Sequence, residues 1–210
     1  MFSLKYVSVA WFTIALVCLE HPQAISADLG LEMPSMDIMT DDEWDQIDSS
    51  VERALEWLAA NQQRDGSFPT IPQGQPAVTG LCAMAFMAHG HLPGEGEYGQ
   101  QLENALNYVA SCQKRSGIIG LIAPNSASIN RNVPHEVGWK TSYNHAISTL
   151  ALSEGFTTGR GLDVKRMEHV ISKALDATQE MQRWRKNRKE DLGGWRYVNR
   201  FRDGLDSDLS

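Results

Sequence analysis

Histidine is the residue type here best suited to metal or proton chemistry, and the chain has six: His21, His89, His91, His135, His145 and His169. His89 and His91 flank a single glycine. With His135 or Glu136 from a following loop they make a candidate metal set, because zinc takes three or four converging ligands. A helix-end histidine and an exposed loop histidine explain the same residues without a metal, so no metal and no cofactor is expected. Trp139, Tyr143 and His145 either line a cavity mouth or pack in the core. Arg183, Arg185, Lys186, Arg188 and Lys189 form a basic run. It could hold an anion, but a helix end attracts cations through its dipole, which explains the run more simply. Nucleophile-elbow, phosphate-loop and His-Glu-x-x-His patterns are all absent from the sequence.

Composition narrows the partners. The chain is 42% hydrophobic with a net charge of -7, which suits one globular domain and disfavours nucleic acid, since phosphate binding needs a basic surface. Residues 1–27 read as a secretory signal peptide: Lys5 in a short positive region, an apolar run over 7–19, then small residues with cleavage near Ser26 or Ala27. The apolar run is shorter than the roughly 20 residues a span needs. Export to the periplasm or the extracellular space is therefore expected. Cys18 leaves with that segment. Cys82 and Cys112 are free to pair in an oxidising compartment, yet both fall in apolar helical patterns where a buried thiol is the simpler reading.

Positioning falls to helices. Residues 28–39 read as a flexible linker and 40–210 as one helical-repeat domain. Thr40 and Glu43 form a capping box. Trp44, Ile47, Val51, Ala54, Leu55 and Leu58 then recur at helical spacing, and the helix ends near Gln63 before Asp65-Gly66. A proline-rich crossing over 68–77 follows. Thr79 is the expected N-cap of a helix that is apolar all round, closed by Gly90. The second unit has its stripe at Tyr98, Leu102, Ala105, Leu106 and Val109 and its turn at Ser116-Gly117. A loop is expected over 118–140, then a helix capped by Ser142, carrying Ala146, Ile147, Leu150 and Leu152 and closed by Gly155. Asp163 caps the third unit, striped by Met167, Val170, Ile171, Ala174, Leu175 and Met181. No strand emerges. Three first helices but only two second helices are present, so the third unit keeps an uncovered apolar face, and the chain reads as a fragment or as needing a further chain or domain.

These units share a motif. Trp57-Leu58, three residues, Gln62, three residues and Gly66-Ser67-Phe68 resembles the QW repeat of the squalene cyclases and the related repeat of protein prenyltransferase β subunits. The second unit matches with Tyr108-Val109, Gln113 and Gly117, but Ile119 replaces the last aromatic. The third matches through Ala174-Leu175, Gln182 and Gly193-Gly194-Trp195, with an insertion after Gln182 and Ala177-Thr178 in place of the aromatic-Leu pair. The resemblance covers roughly residues 51–210. It implies an all-α fold, a partial α/α toroid of about two and a half helix pairs. It also implies that the repeat glutamine ties a helix end to the following turn. That agrees with the unpaired carbonyls at any helix C-terminus. Trp57, Gln62, Gly66, Phe68, Gln113, Gly117, Gln182, Gly194 and Trp195 thus read as structural.

The cyclases of this family protonate an isoprenoid with an Asp-x-Asp-Asp cluster, whose paired carboxyls in an apolar cavity share an activated proton. Asp206-Ser207-Asp208 supplies the first two members, but Leu209 stands where the third aspartate belongs. An Asp-rich turn capping the next helix explains the pair better. The expectation is therefore an exported, non-catalytic binding or interaction module. It would hold a protein segment or an apolar ligand, bind no nucleic acid, and offer self-association through the uncovered terminal repeat. The alternative is the N-terminal part of a terpenoid-cyclase-like enzyme using Asp206 and Asp208.

Overall fold

The computed structural model of the chain describes residues 39–121, 136–157, 161–184 and 189–195, without the side chains of 136–139 and 191. Five α-helices account for most of it: α1 (Asp41–Asn61), α2 (Ala77–Ala88), α3 (Gly99–Ser111), α4 (Glu136–Thr157) and α5 (Val164–Arg183). Two single 3-10 turns, Pro72–Gly74 and Lys189–Asp191, complete the regular structure. Among the described residues there is no strand, only the isolated bridges Leu92–Glu95 and Gln113–Ile119. The all-α expectation holds.

The chain divides into two compact units, 1–47 and 48–210, and the division falls within α1. In the first unit the capping box forms as expected. The Thr40 N–H donates to Glu43 Oε2 at 2.8 Å and the Glu43 N–H returns a longer bond to Thr40 Oγ1 at 3.4 Å. These bonds hold the Glu43 carboxyl below its usual pKa.

The second unit carries the core. α3 buries Leu102, Ala105, Leu106 and Val109 completely. Each leucine so buried contributes about 2 kcal/mol by the area it removes from water. α1 contributes Leu55, with Val51, Leu58 and Ala59 half-buried beside it, and α5 adds Met167, Val170, Ile171 and Ala174. Helix α4 is the hub, packed against α2, α3, α5 and the first 3-10 turn.

Several local expectations are corrected. Of the expected α1 stripe, Trp44, Ile47 and Ala54 are exposed, so it runs through Val51, Leu55 and Leu58 instead. Thr79 is not an N-cap: α2 begins two residues earlier, after Pro76, and no side chain caps it. Proline has no N–H and a fixed φ, so it serves helix entry without a side-chain bond. α4 begins at Glu136, which shortens the loop expected over 118–140 and puts Ser142 inside the helix. Gly155 does not close α4 but lies within it. A methyl group there would stand 2.5 Å from Leu106 Cδ1, so the glycine serves close packing of α4 on α3. By contrast, Asp163 caps α5 as expected, accepting from the Arg166 N–H at 3.1 Å. Gly90 ends α2 with φ +86°, in the left-handed region that favours glycine.

Candidate functional site

The turns after α1 and α3 are built alike. Gln62 Nε2 donates to Gly66 O at 3.0 Å and to Gln101 O, in α3, at 2.8 Å. Gln113 Nε2 donates to Gly117 O at 3.2 Å and to Val170 O, in α5, at 2.7 Å. One side-chain amide thus fixes its own turn and the next odd-numbered helix. The glycine between makes the approach close enough. Gly66 (φ +89°) and Gly117 (φ +88°) lie against the Asn104 and Lys173 carbonyls, where an added Cβ would sit 2.3 and 2.2 Å from oxygen. No other residue fits a positive φ and that contact together.

The residue two places beyond each glycine meets the even-numbered helices. Phe68 and Ile119 are both buried. The Phe68 N–H donates to Thr79 Oγ1 at 3.1 Å, and Thr79 Oγ1 donates to Gln75 Oε1 at 2.8 Å. Gln75 Nε2 closes the ring on Phe68 O at 2.7 Å. In the second unit the Ile119 N–H donates to His145 Nδ1 at 3.1 Å. Since Nδ1 accepts, the imidazole proton is on Nε2, which lies 3.0 Å from Thr178 Oγ1 and donates to it. Thr178 Oγ1 in turn donates to Ala174 O at 3.0 Å. Burial holds the His145 imidazole neutral and pushes its pKa down to about 4. Both ring nitrogens are committed to structural bonds, so His145 is not a free base. Thr79 in α2 and His145 in α4 therefore occupy one position of the repeat.

That correspondence aligns α2 with α4, and the shared glutamine acceptors align α3 with α5. Ala77 and Leu106, buried beneath α4, correspond to Tyr143 and Leu175, each 48% exposed. Around the latter pair lies an open cavity of about 560 Å³, lined by Tyr143, Ala146, Leu150, Leu175, Met181 and Trp195 with His145 at its edge. Its walls are apolar, and its size falls within the range of roughly 300–1,000 Å³ typical of ligand pockets. Trp195 is fixed at its rim by an Nε1–H bond of 2.9 Å to Thr178 O.

The structure brings Tyr143 and His145 to this cavity; the Trp139 side chain lies outside the described residues, as do His135, Asp206 and Asp208. His89 and His91 do not assemble a metal site. Their ring centroids are 5.8 Å apart, and His91 packs edge-on against Tyr98 at 4.8 Å. Among the described residues no group of three or more histidine, cysteine or acidic side chains could hold a metal. Cys82 and Cys112 are free thiols, both with pKa raised by burial. Trp57 is 63% exposed and packs on none of the motif. Gln182 makes neither of the bonds of Gln62 and Gln113 among the described residues.

Sequence reasoning gave Thr79, Thr178 and Ala146 other roles, as an N-cap, a repeat substitution and a stripe residue. Setting the second helices of the repeat against each other would have paired Thr79 with His145 and marked the face on which Ala146 lies. No protein-family model, curated protein or solved structure matches the chain. Among the described residues no helix is long and apolar enough to cross a membrane.

Proposed function

We propose that this chain is an exported, non-catalytic interaction module of the squalene-cyclase-like repeat type, and that its groove between α4 and α5 holds an apolar helical protein segment. One observation carries the reading. Positions that are buried under α4 in the first unit, Ala77 and Leu106, recur as Tyr143 and Leu175, each about half exposed. A surface whose counterpart accepts a helix is shaped to accept another. The reading is also supported by His145, the imidazole at the cavity's edge, whose two nitrogens both hold structure. A partial α/α toroid is the arrangement that such a repeat builds as it is extended.

Calorimetric titration with a synthetic peptide of residues 136–157 tests this, because α4 is the helix that fills the equivalent groove. Saturable binding is expected, and Leu175→Glu should abolish it while circular dichroism stays helical. Absence of binding, or binding indifferent to Leu175→Glu, would sink the proposal. So would conversion of squalene or a prenyl diphosphate that Asp206→Asn eliminates.

A further inference from the structure

We propose that the segment filling this groove is helix α2 of a second copy of the chain, docked head-to-tail. The inference rests on the interaction-module reading and names its partner. The template is the joint between α2 and α4. There α4 lays Ile147 and Ala151 on Gly80, where a Cβ would stand 3.3 Å from Ala151 Cβ. By the Thr79–His145 correspondence, Gly80 becomes Ala146, which is exposed and lines the groove. In the same register Ile147 and Ala151 become Leu81 and Ala85 on α2. Leu81 is 49% exposed and Ala85 is exposed as well. The receiving surface and the inserting face of one joint are therefore both present and both apolar, with Ala146, Leu81 and Ala85 exposed. A second copy continues the contact that the chain already makes within itself.

The odd-numbered helices repeat the argument. Gly193 has φ +90° like Gly66 and Gly117, but where those two meet a helix carbonyl, Gly193 has nothing within 4 Å. Gln182 likewise bonds no following helix among the described residues. Since Gln62 matches Gln113, the Gln101 carbonyl that accepts from Gln62 and the Asn104 carbonyl against Gly66 correspond on α1 to those of Ser50 and Arg53. Head-to-tail docking sets the Ser50 carbonyl of the second copy before Gln182 and its Arg53 carbonyl before Gly193. Charge agrees with this placement. By sequence, α1 carries Asp48, Glu52 and Glu56 around the single basic Arg53, and residues 183–191 carry five basic side chains against Glu190 and Asp191. Such a contact is heterologous, with a different surface on each copy.

Sedimentation velocity on the exported chain tests it, with Leu81→Glu and Leu150→Glu as single variants. Both positions are about half exposed, so the helical circular dichroism should survive; Leu81→Gln and Leu175→Gln serve as milder replacements. Each variant alone should associate more than tenfold more weakly than the parent. An equal mixture of the two should regain a one-to-one complex, because one intact donor face then meets one intact groove. Raising the salt concentration should weaken association of the parent. A monomeric parent, association unchanged in both variants, or a mixture that stays monomeric would each overturn the proposal. A monomeric parent that still binds the 136–157 peptide would overturn the self-pairing while leaving the interaction-module reading standing. Loss of both would remove the two together.

Discussion

The side-chain amide of Gln113 reaches the main-chain oxygen of Val170 at 2.7 Å, and this bond joins the turn after α3 to the middle of α5. The same amide holds Gly117 O. Replacing Gln113 with Leu keeps the bulk and removes both bonds, while Val170 O keeps its intrahelical partner. Each lost bond of this kind contributes on the order of 1 kcal/mol. A loss of about 2 kcal/mol is expected from chemical denaturation, with Gln62→Leu similar. A loss under a few tenths of a kcal/mol would mean that water replaces the amide without penalty.

His145 gives the chain an acid-sensitive joint. Its folded pKa is lowered to about 4 by burial, below the ordinary histidine value near 6.5. Between those values the unfolded chain binds the extra proton, so stability falls as pH falls, by at most about 1.4 kcal/mol per pH unit. Above about pH 6.5 the group is neutral in both states and adds no pH dependence. Denaturation at several pH values should show this slope, and His145→Gln should flatten it. An unchanged slope in that variant would assign the acid sensitivity to other groups.

The three turn glycines should not respond equally to alanine. Gly117→Ala meets both a positive φ and the Lys173 carbonyl, a combination expected to cost about 3 kcal/mol or more. Gly193→Ala meets the positive φ alone, for about 1 kcal/mol. Thermal melts of the isolated chain should rank them so. In the head-to-tail assembly Gly193→Ala has a second effect, because its methyl fills the space left for the Arg53 carbonyl. It should therefore weaken association far more than its melting temperature suggests.

Cys112 is 6% exposed and its thiol is pushed up by burial, as is that of the half-buried Cys82. A thiol reagent needs thiolate and access. At neutral pH, Cys112 should react at the rate of unfolding and Cys82 more slowly than an exposed cysteine. Mass spectrometry after alkylation without reductant should find both thiols modified in the denatured chain. A mass short by two alkyl groups would reveal a disulfide instead.

Much of the helical framework was legible in advance. The α3 stripe from Leu102 to Val109 is apolar at every inward position, and the Thr40 and Asp163 caps follow from local chemistry. α4 was read less well. Its buried face mixes Thr141, Ser142, Asn144, His145, Ser148 and Thr149 with Ala151 and Leu152, so apolar periodicity finds Leu152 but turns the exposed Ala146 and Leu150 inward. Asn144 and His145 are tolerated inside because distant groups satisfy them. The Asn144 amide, for example, donates to Gln73 O at 2.8 Å and its Oδ1 accepts from the Ala77 N–H at 2.9 Å. Partners so far apart in sequence leave no local trace. Within the candidate site, spacing exposed the glutamines and glycines, but not the groove. That feature depends on how α4 and α5 pack around Tyr143 and Leu175, which no local pattern encodes.

The acceptors of both glutamine joints are main-chain oxygens, one belonging to a glutamine and the other to a valine. A joint read through carbonyls is blind to the side chains that surround it. Over evolutionary time such a repeat can exchange almost every residue of its helices and keep its connections, provided the amide and the glycine remain. The two joints of this chain accordingly share the amide and the glycine while differing at most of the positions between them.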